Sequence, residues 1–282
     1  MKRFSKLMSL VAVLGLVSML FITCSKNVVE EPAVAPTSTH TYGALFLPAD
    51  EYNKLPVAPT PEFKSMATVV NLNTPPVGDQ GTEGSCTAWG STYCGLSTYY
   101  QALHPAAWSQ SVNIFSPEFV YDQTKATSSC TGGAYTSTVL AFVVSHGSCT
   151  WTLMPYSDTN GCSLVPTSAQ TSNALLHKPT SYSTVPIAAG GAAIKAQLAA
   201  GHAVIVGGNV NSAFENLKSG GVLTTYKGTT LGGHCYCVVG YDDTKNAFKF
   251  QNSWGPTWST AGCGYINYNN VTSWWSEAYV LN

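Results

Sequence analysis

Asp79-Gln80-Gly81-Thr82-Glu83-Gly84-Ser85-Cys86-Thr87-Ala88-Trp89 is a glycine-rich turn that ends in a cysteine, and that cysteine opens a helical pattern. Gly81 and Gly84 let the backbone bend where a residue with a Cβ would be strained. From Thr87 to Leu103 there is no proline, and Ala88, Trp89, Leu96, Tyr99, Tyr100 and Leu103 recur at roughly helical spacing. A cysteine at a helix N-terminus sits beside unpaired N–H groups and the positive end of the helix dipole. Both favour thiolate over thiol, so Cys86 is expected to be nucleophilic, with a lowered pKa. A buried structural cysteine, or half of a disulfide, would fit the same stretch. What separates the readings is whether the chain supplies a base and a group to orient it.

The chain has six histidines: His40, His104, His146, His177, His202 and His234. Two open strand-like apolar runs. His202 leads Ala203-Val204-Ile205-Val206, and His234 leads Cys235-Tyr236-Cys237-Val238-Val239-Gly240-Tyr241. His234 lies 148 residues after Cys86 and His202 lies 116 after it. Only the His234 run leads on to Asn252-Ser253-Trp254-Gly255.

The first half also reads as helices. Ser116-Pro117-Glu118-Phe119 is an N-cap followed by proline at the first helical position. Ala134–Ser145 is an apolar helical pattern stopped by Gly147. After a short helix over Ala192–Ala200, the second half turns to short runs separated by Gly, Asn and Asp: Ala203–Val206, Gly221–Thr225, Cys235–Tyr241, Ala247–Gln251, Tyr265–Tyr268 and Ala278–Leu281. A mainly helical part (about 72–185) followed by a mainly antiparallel β part (about 186–282) predicts an α+β chain of two subdomains.

Gln80–Cys86 resembles the Q-G-x-C-G-S-C-W turn of papain-like cysteine peptidases, and Asn252-Ser253-Trp254-Gly255 resembles their N-S-W-G motif. The resemblance covers roughly residues 62–282. It implies the papain-like fold, a helical half and an antiparallel β-barrel-like half with the active site in the cleft between them. It also implies roles. Cys86 would be the nucleophile and His234 the base, since the separation usual in the family is about 130–150 residues. Asn252 would orient the imidazole, as an acidic residue does in a serine triad, and Trp254 would cover that contact. Gln80 Nε2 and the Cys86 N–H would receive the developing oxyanion. Cys130-Thr131-Gly132-Gly133 matches the turn whose backbone pairs with an extended substrate, so Gly84, Gly132, Gly133, Tyr135, Gly233, Cys235 and Trp254 are the expected substrate contacts.

The departures are specific. Thr87 stands where the family has tryptophan, and Trp89 where it has phenylalanine. Glu83 replaces a cysteine that would bond the one matched by Cys130, so that family disulfide is impossible here.

Apolar residues make up 45% of the 282 and charged residues 10%, the balance of a globular protein with a sizeable core. Lys2, Arg3 and Lys6 precede a 16-residue hydrophobic run, Leu7–Ile22. This is a secretory leader, residues 1–23, too short for a comfortable membrane span. Phe21-Ile22-Thr23-Cys24 resembles a bacterial lipobox, so Cys24 is expected to carry lipid and to hold the protein at the bacterial envelope, in the periplasm or on the outer membrane; an ordinary cleavage site is the alternative. Loss of Lys2, Arg3 and Lys6 leaves 10 basic against 14 acidic residues, a net charge of −4. Arg3 is the sole arginine, which argues against nucleic acid as a partner. Residues 24–61 carry Pro32, Pro36, Pro48, Pro56, Pro59 and Pro61 and read as a tether, or as a short pro-segment over the site.

Of nine cysteines, seven remain after Cys24 and Cys86, an odd number. Cys149 and Cys162 flank Met154-Pro155-Tyr156 and are the expected disulfide. Cys235 and Cys237 share one face of a strand, away from His234, and are poor partners for each other. A zinc site from His234, Cys235 and Cys237 lacks a fourth ligand and would consume the base, so neither metal nor cofactor is expected. The expectation is a monomeric, lipid-anchored cysteine endopeptidase acting on peptide bonds through a thioester. Two alternatives are a catalytically weak papain-fold binding or adhesion module, and an acyl transferase with the same triad.

Overall fold

The computed structural model describes residues 40–62 and 67–282. The leader, Cys24 and the first part of the proposed tether lie outside the described residues.

The helical half is built on one continuous helix whose segments are Cys86–Ala88, Trp89–Leu96 and Ser97–Leu103. Its middle segment is wound with π-type hydrogen bonds, a geometry often found at functional sites. Two glycines let it lie hard against the sheet. A Cβ on Gly90 would stand 2.9 Å from Cys235 Sγ, and one on Gly95 would stand 2.9 Å from the Ile205 side chain. The helices Pro117–Thr124 and Thr136–His146 pack around it. Ser116 caps the first, its Oγ accepting from Phe119 N at 3.1 Å, and Gly147 ends the second at φ 73°.

Among the described residues the β half is an eight-stranded sheet. In chain order the strands are β1 (Ala44–Leu45), β2 (Val69–Asn71), β3 (Ala134–Tyr135), β4 (Tyr182–Thr184), β5 (Val204–Val210), β6 (Val222–Leu223), β7 (Gly232–Asp242), β8 (Ala247–Gln251), β9 (Cys263–Asn267) and β10 (Glu277–Leu281). A separate two-stranded sheet pairs β1 with β3, and the large sheet runs β4-β10-β5-β7-β8-β9-β6, with β2 added beside the end of β7. Every pairing in it is antiparallel except β6 with β9. The expected run Gly221–Thr225 shrinks to a two-residue strand.

β7 is buried on both faces, as its near-continuous apolar sequence requires. Cys235, Cys237 and Val239 join the core around the central helix, and Tyr236, Val238 and Tyr241 join the core of the β half. His234 follows the second face, packing on Phe214. His234 and Cys235 therefore point to opposite sides of the strand, and no metal site can be made from them with Cys237.

Two sequence expectations are corrected by the fold. Cys149 and Cys162 do not pair; the disulfide is Cys130–Cys162, with Cα atoms 5.5 Å apart. Cys149 is an unbridged thiol buried in the helical core. Nearness in sequence suggests the wrong pair, because the chain after Pro155 swings back over the 130 turn. Residues 40–61, the described part of the expected tether, also do not hang free. Ala58 N donates to Thr184 O at 2.8 Å and Thr184 N donates to Pro56 O at 2.7 Å, while Gln197 Nε2 donates to Pro59 O at 2.9 Å. Proline lacks a donor but keeps its carbonyl, so a proline-rich segment can still dock as an acceptor.

Candidate active site

The 79–86 turn closes by bonds from both halves. Gln80 N donates to Ser253 O at 2.8 Å, and Ser253 Oγ donates to Gln80 Oε1 at 2.7 Å. With its oxygen thus engaged, the Gln80 amide presents Nε2, which donates to Glu83 O and Thr41 O, both at 2.9 Å. Tyr156 OH donates to Gln80 O at 2.6 Å from the back of the turn. Gly84 N donates to Cys130 O at 2.9 Å, tying the turn to the disulfide-bearing loop.

Cys86 begins the central helix and is fully buried. His234 is also fully buried, and its Nε2 lies 2.8 Å from Asn252 Oδ1. An amide oxygen only accepts, so Nε2 carries the proton. Nδ1 has no hydrogen-bond partner among the described residues. Trp254 lies over the pair, its ring 4.9 Å from the imidazole, and Phe214 meets His234 edge-on at 5.5 Å. His202 is elsewhere, with Nδ1 2.8 Å from Gln197 Oε1.

Burial reverses the expected charge state. The Cys86 thiol is pushed up to about 11 by desolvation, against which the N–H groups of Cys235, Gly43 and Thr87 act weakly. Desolvation pulls His234 down to about 4, although the Asn252 bond favours its protonated form. Both groups are held neutral, because an ion pair sealed from water costs more than the helix terminus returns. The lowered thiol pKa expected from the sequence does not apply to this covered state.

The cover is the chain itself. Residues 40–47 run along the cleft as a strap. His40 stacks on Trp254 with ring centroids 5.2 Å apart. Thr41 O takes the Gln80 amide. Tyr42 meets His234 edge-on at 6.3 Å and donates its hydroxyl to Glu215. Ala134 N donates to Gly43 O at 2.8 Å, and β1 pairs parallel with β3. Phe46 lies against Gly207 and Gly233, and Leu47 N donates to Glu277 Oε1 at 2.7 Å.

Several expected substrate contacts line this strap. A Cβ on Gly84 would touch the 131–133 backbone, and one on Gly233 would stand 2.1 Å from Ala44 O. Gly133, at φ 68°, faces Gly43 in the same way. Tyr135 pairs with Leu45. Gly132 sits behind the turn against Thr127, and the Cys235 side chain points into the helical core. Sequence reasoning misses Ser253, which orients Gln80, although it lies inside the N-S-W-G motif. Neither Phe214 nor Glu215 carries any local signal.

A family model described as papain family cysteine protease matches residues 64–279. The chain belongs to that family and is a cysteine-type peptidase. It is 30% identical over 195 residues to gamete and mating-type specific protein A of Dictyostelium discoideum. That match spans 69% of this chain but only 41% of the relative. Xylellain, a cysteine protease from Xylella fastidiosa, superposes with a TM-score of 0.73 at 23% identity, over 87% of this chain and 97% of that one. Procathepsin B S9 from Trypanosoma congolense gives 0.68 at 17% identity, over 86% and 87%. Bromelain from Ananas comosus, in complex with the E64 inhibitor, gives 0.61 at 19%, over 77% and 99%. At these identities the structures show the shared fold.

Proposed function

We propose that this chain is an endopeptidase that works through Cys86, His234 and Asn252 and is held shut by its own residues 40–47. The observation that carries the reading is the 2.8 Å contact of His234 Nε2 with Asn252 Oδ1. It commits the Nε2 proton and leaves Nδ1 as the nitrogen available to the thiol. With the strap displaced and water admitted, the thiol passes its proton to His234. The Cys86 sulfur attacks the scissile carbonyl, and the oxyanion is received by Gln80 Nε2 and the Cys86 N–H. That a strap carbonyl, Thr41 O, already occupies the Gln80 donor supports this role. His234 then protonates the leaving amine, a thioester remains, and His234 activates the water that hydrolyses it.

The strap survives because it runs the wrong way. The leaving amine must reach His234, so the C-terminal half of a substrate lies toward Trp254 and its N-terminal acyl half toward Gly133. Residues 40–47 instead start at Trp254 and finish along β3. The proposal for the N-terminus rests on sequence alone: secretion, with lipid on Cys24 at the bacterial envelope. Two acyl chains or more would hold the protein stably. Cys86→Ala should abolish both peptide cleavage and labelling by an epoxide thiol probe while the protein stays folded. Near wild-type turnover in that variant would refute the assignment. Membrane release by Cys24→Ser, with fatty acid found on the native N-terminus, tests the anchor.

A further inference from the structure

Beside the strap's first residue is a groove of about 420 Å³, lined by His40, Asp79, Gly81, Tyr156, Ser157 and Asp158. Two of its walls are carboxylates and none is a lysine. His40 fills one end. Its imidazole stacks on Trp254 at 5.2 Å and 17° between planes, and its Nε2 lies 2.9 Å from Asp79 Oδ1. The Asp79 side chain is 53% exposed, so the site opens to water and remains reachable once the strap leaves. Asp79 is fixed there by its own backbone, which bridges Trp254, and by Gly81 N, which donates to Oδ1 at 2.9 Å. Asp158 is fixed by the Thr82 N–H at 2.8 Å and the Thr82 hydroxyl at 3.0 Å. An aromatic face with a carboxylate at its edge suits a flat or elongated cation, through the ring quadrupole and a charge-assisted hydrogen bond.

We infer that the Trp254 face, Asp79 and Asp158 form a subsite for a cationic side chain of the substrate, lysine or arginine, in the first two residues after the scissile bond. The side follows from the chemistry, since the leaving amine is delivered to His234 and Trp254 covers His234. His40 is the chain's own sample of what the subsite holds. This subsite presupposes the peptidase reading. Acidic residues in the same positions meet two carboxylates and are disfavoured.

The full-length protein is given a peptide library, and cleavage sites are read by mass spectrometry. A matched pair of quenched peptides, differing only by Lys or Ala at the best such position, is then assayed with wild type, Asp79→Asn and Asp158→Asn. In Asp79→Asn the new side chain keeps an oxygen for the Gly81 N–H, so the turn is preserved. The ratio of kcat/KM for the two peptides is unaffected by the fraction of enzyme with its strap open. We expect Lys and Arg enriched and Asp and Glu depleted, with a Lys/Ala ratio of about five that falls toward one in Asp79→Asn. Cleavage with a ratio of one in wild type, or a ratio unmoved by both substitutions, would overturn the subsite and leave the peptidase standing. No cleavage of any peptide, even by Gly43→Ala, in which a Cβ 1.9 Å from Gly84 O drives the strap off the cleft, would overturn both.

Discussion

Gly43→Ala should switch the enzyme on. An alanine Cβ at 43 would stand 1.9 Å from Gly84 O and 2.4 Å from Gly84 C. Both are backbone atoms, and Gly84 is itself pinned by its bond to Cys130 O. Neither side can give way, so the clash falls on the closed strap and vanishes when the strap lifts. Overpacking of this kind costs about 1–3 kcal/mol. At about 1.4 kcal/mol per tenfold, the open population rises about 5- to 140-fold. The assay is the second-order rate of Cys86 labelling by an epoxide probe, with no activator present, and then peptide hydrolysis. Tyr42→Phe loses the hydrogen bond to Glu215 and should raise labelling less, by about three- to tenfold. Equal labelling rates in wild type, Gly43→Ala and Tyr42→Phe would refute the closed strap as the state that controls activity.

Ser253→Ala removes the donor to Gln80 Oε1. It should lower kcat by about tenfold, below the 10²–10³ typical of deleting an oxyanion donor outright, as steady-state kinetics would show. Cys162→Ser opens the 32-residue disulfide loop to Cys130 and should cost about 3 kcal/mol in urea unfolding without reductant; Cys149→Ser leaves the disulfide intact and should cost less. Glu83 is raised to about 8 by desolvation and the nearby Glu118, and Glu118 to about 7 by desolvation and the charges of Asp122 and Asp158. A carboxyl raised on folding binds more protons in the native state, so the stability these two groups contribute is full below about pH 4.5 and is lost as pH rises to about 8. Glu83→Gln should therefore be more stable than wild type at pH 8 and indistinguishable from it near pH 4, in thermal melts at the two values.

The candidate site is legible in the sequence where its signal is local. Gln80, Gly84 and Cys86 sit in one turn, and Asn252 and Trp254 in one motif. Spacing from Cys86 and the N-S-W-G motif downstream separate His234 from His202. What stays hidden depends on the path of the chain in space. Proline content argues for a tether over 24–61, but the docking of residues 40–61 uses proline carbonyls and glycine contacts that composition does not report. Nearness in sequence joins Cys149 to Cys162, whereas Cys162 crosses to Cys130. The helix terminus alone argues for a low Cys86 pKa, and burial beneath a distant segment outweighs it. Ser253 becomes visible only on asking what holds the Gln80 amide in one orientation.

β7 has a consequence for how this enzyme tolerates change. Cys235, Cys237 and Val239 anchor it to the wall that carries Cys86, while His234, Tyr236, Val238 and, past the bulge between Val238 and Gly240, Tyr241 anchor it to the other. The gap between nucleophile and base is thus set by one thickness of backbone, as a gasket sets the gap between two plates. A volume change at Cys237 or Val238, one on each face, alters that gap although neither side chain takes part in the reaction. Repacking either core in search of thermal stability therefore retunes the chemistry, and variants selected for one property should drift in the other.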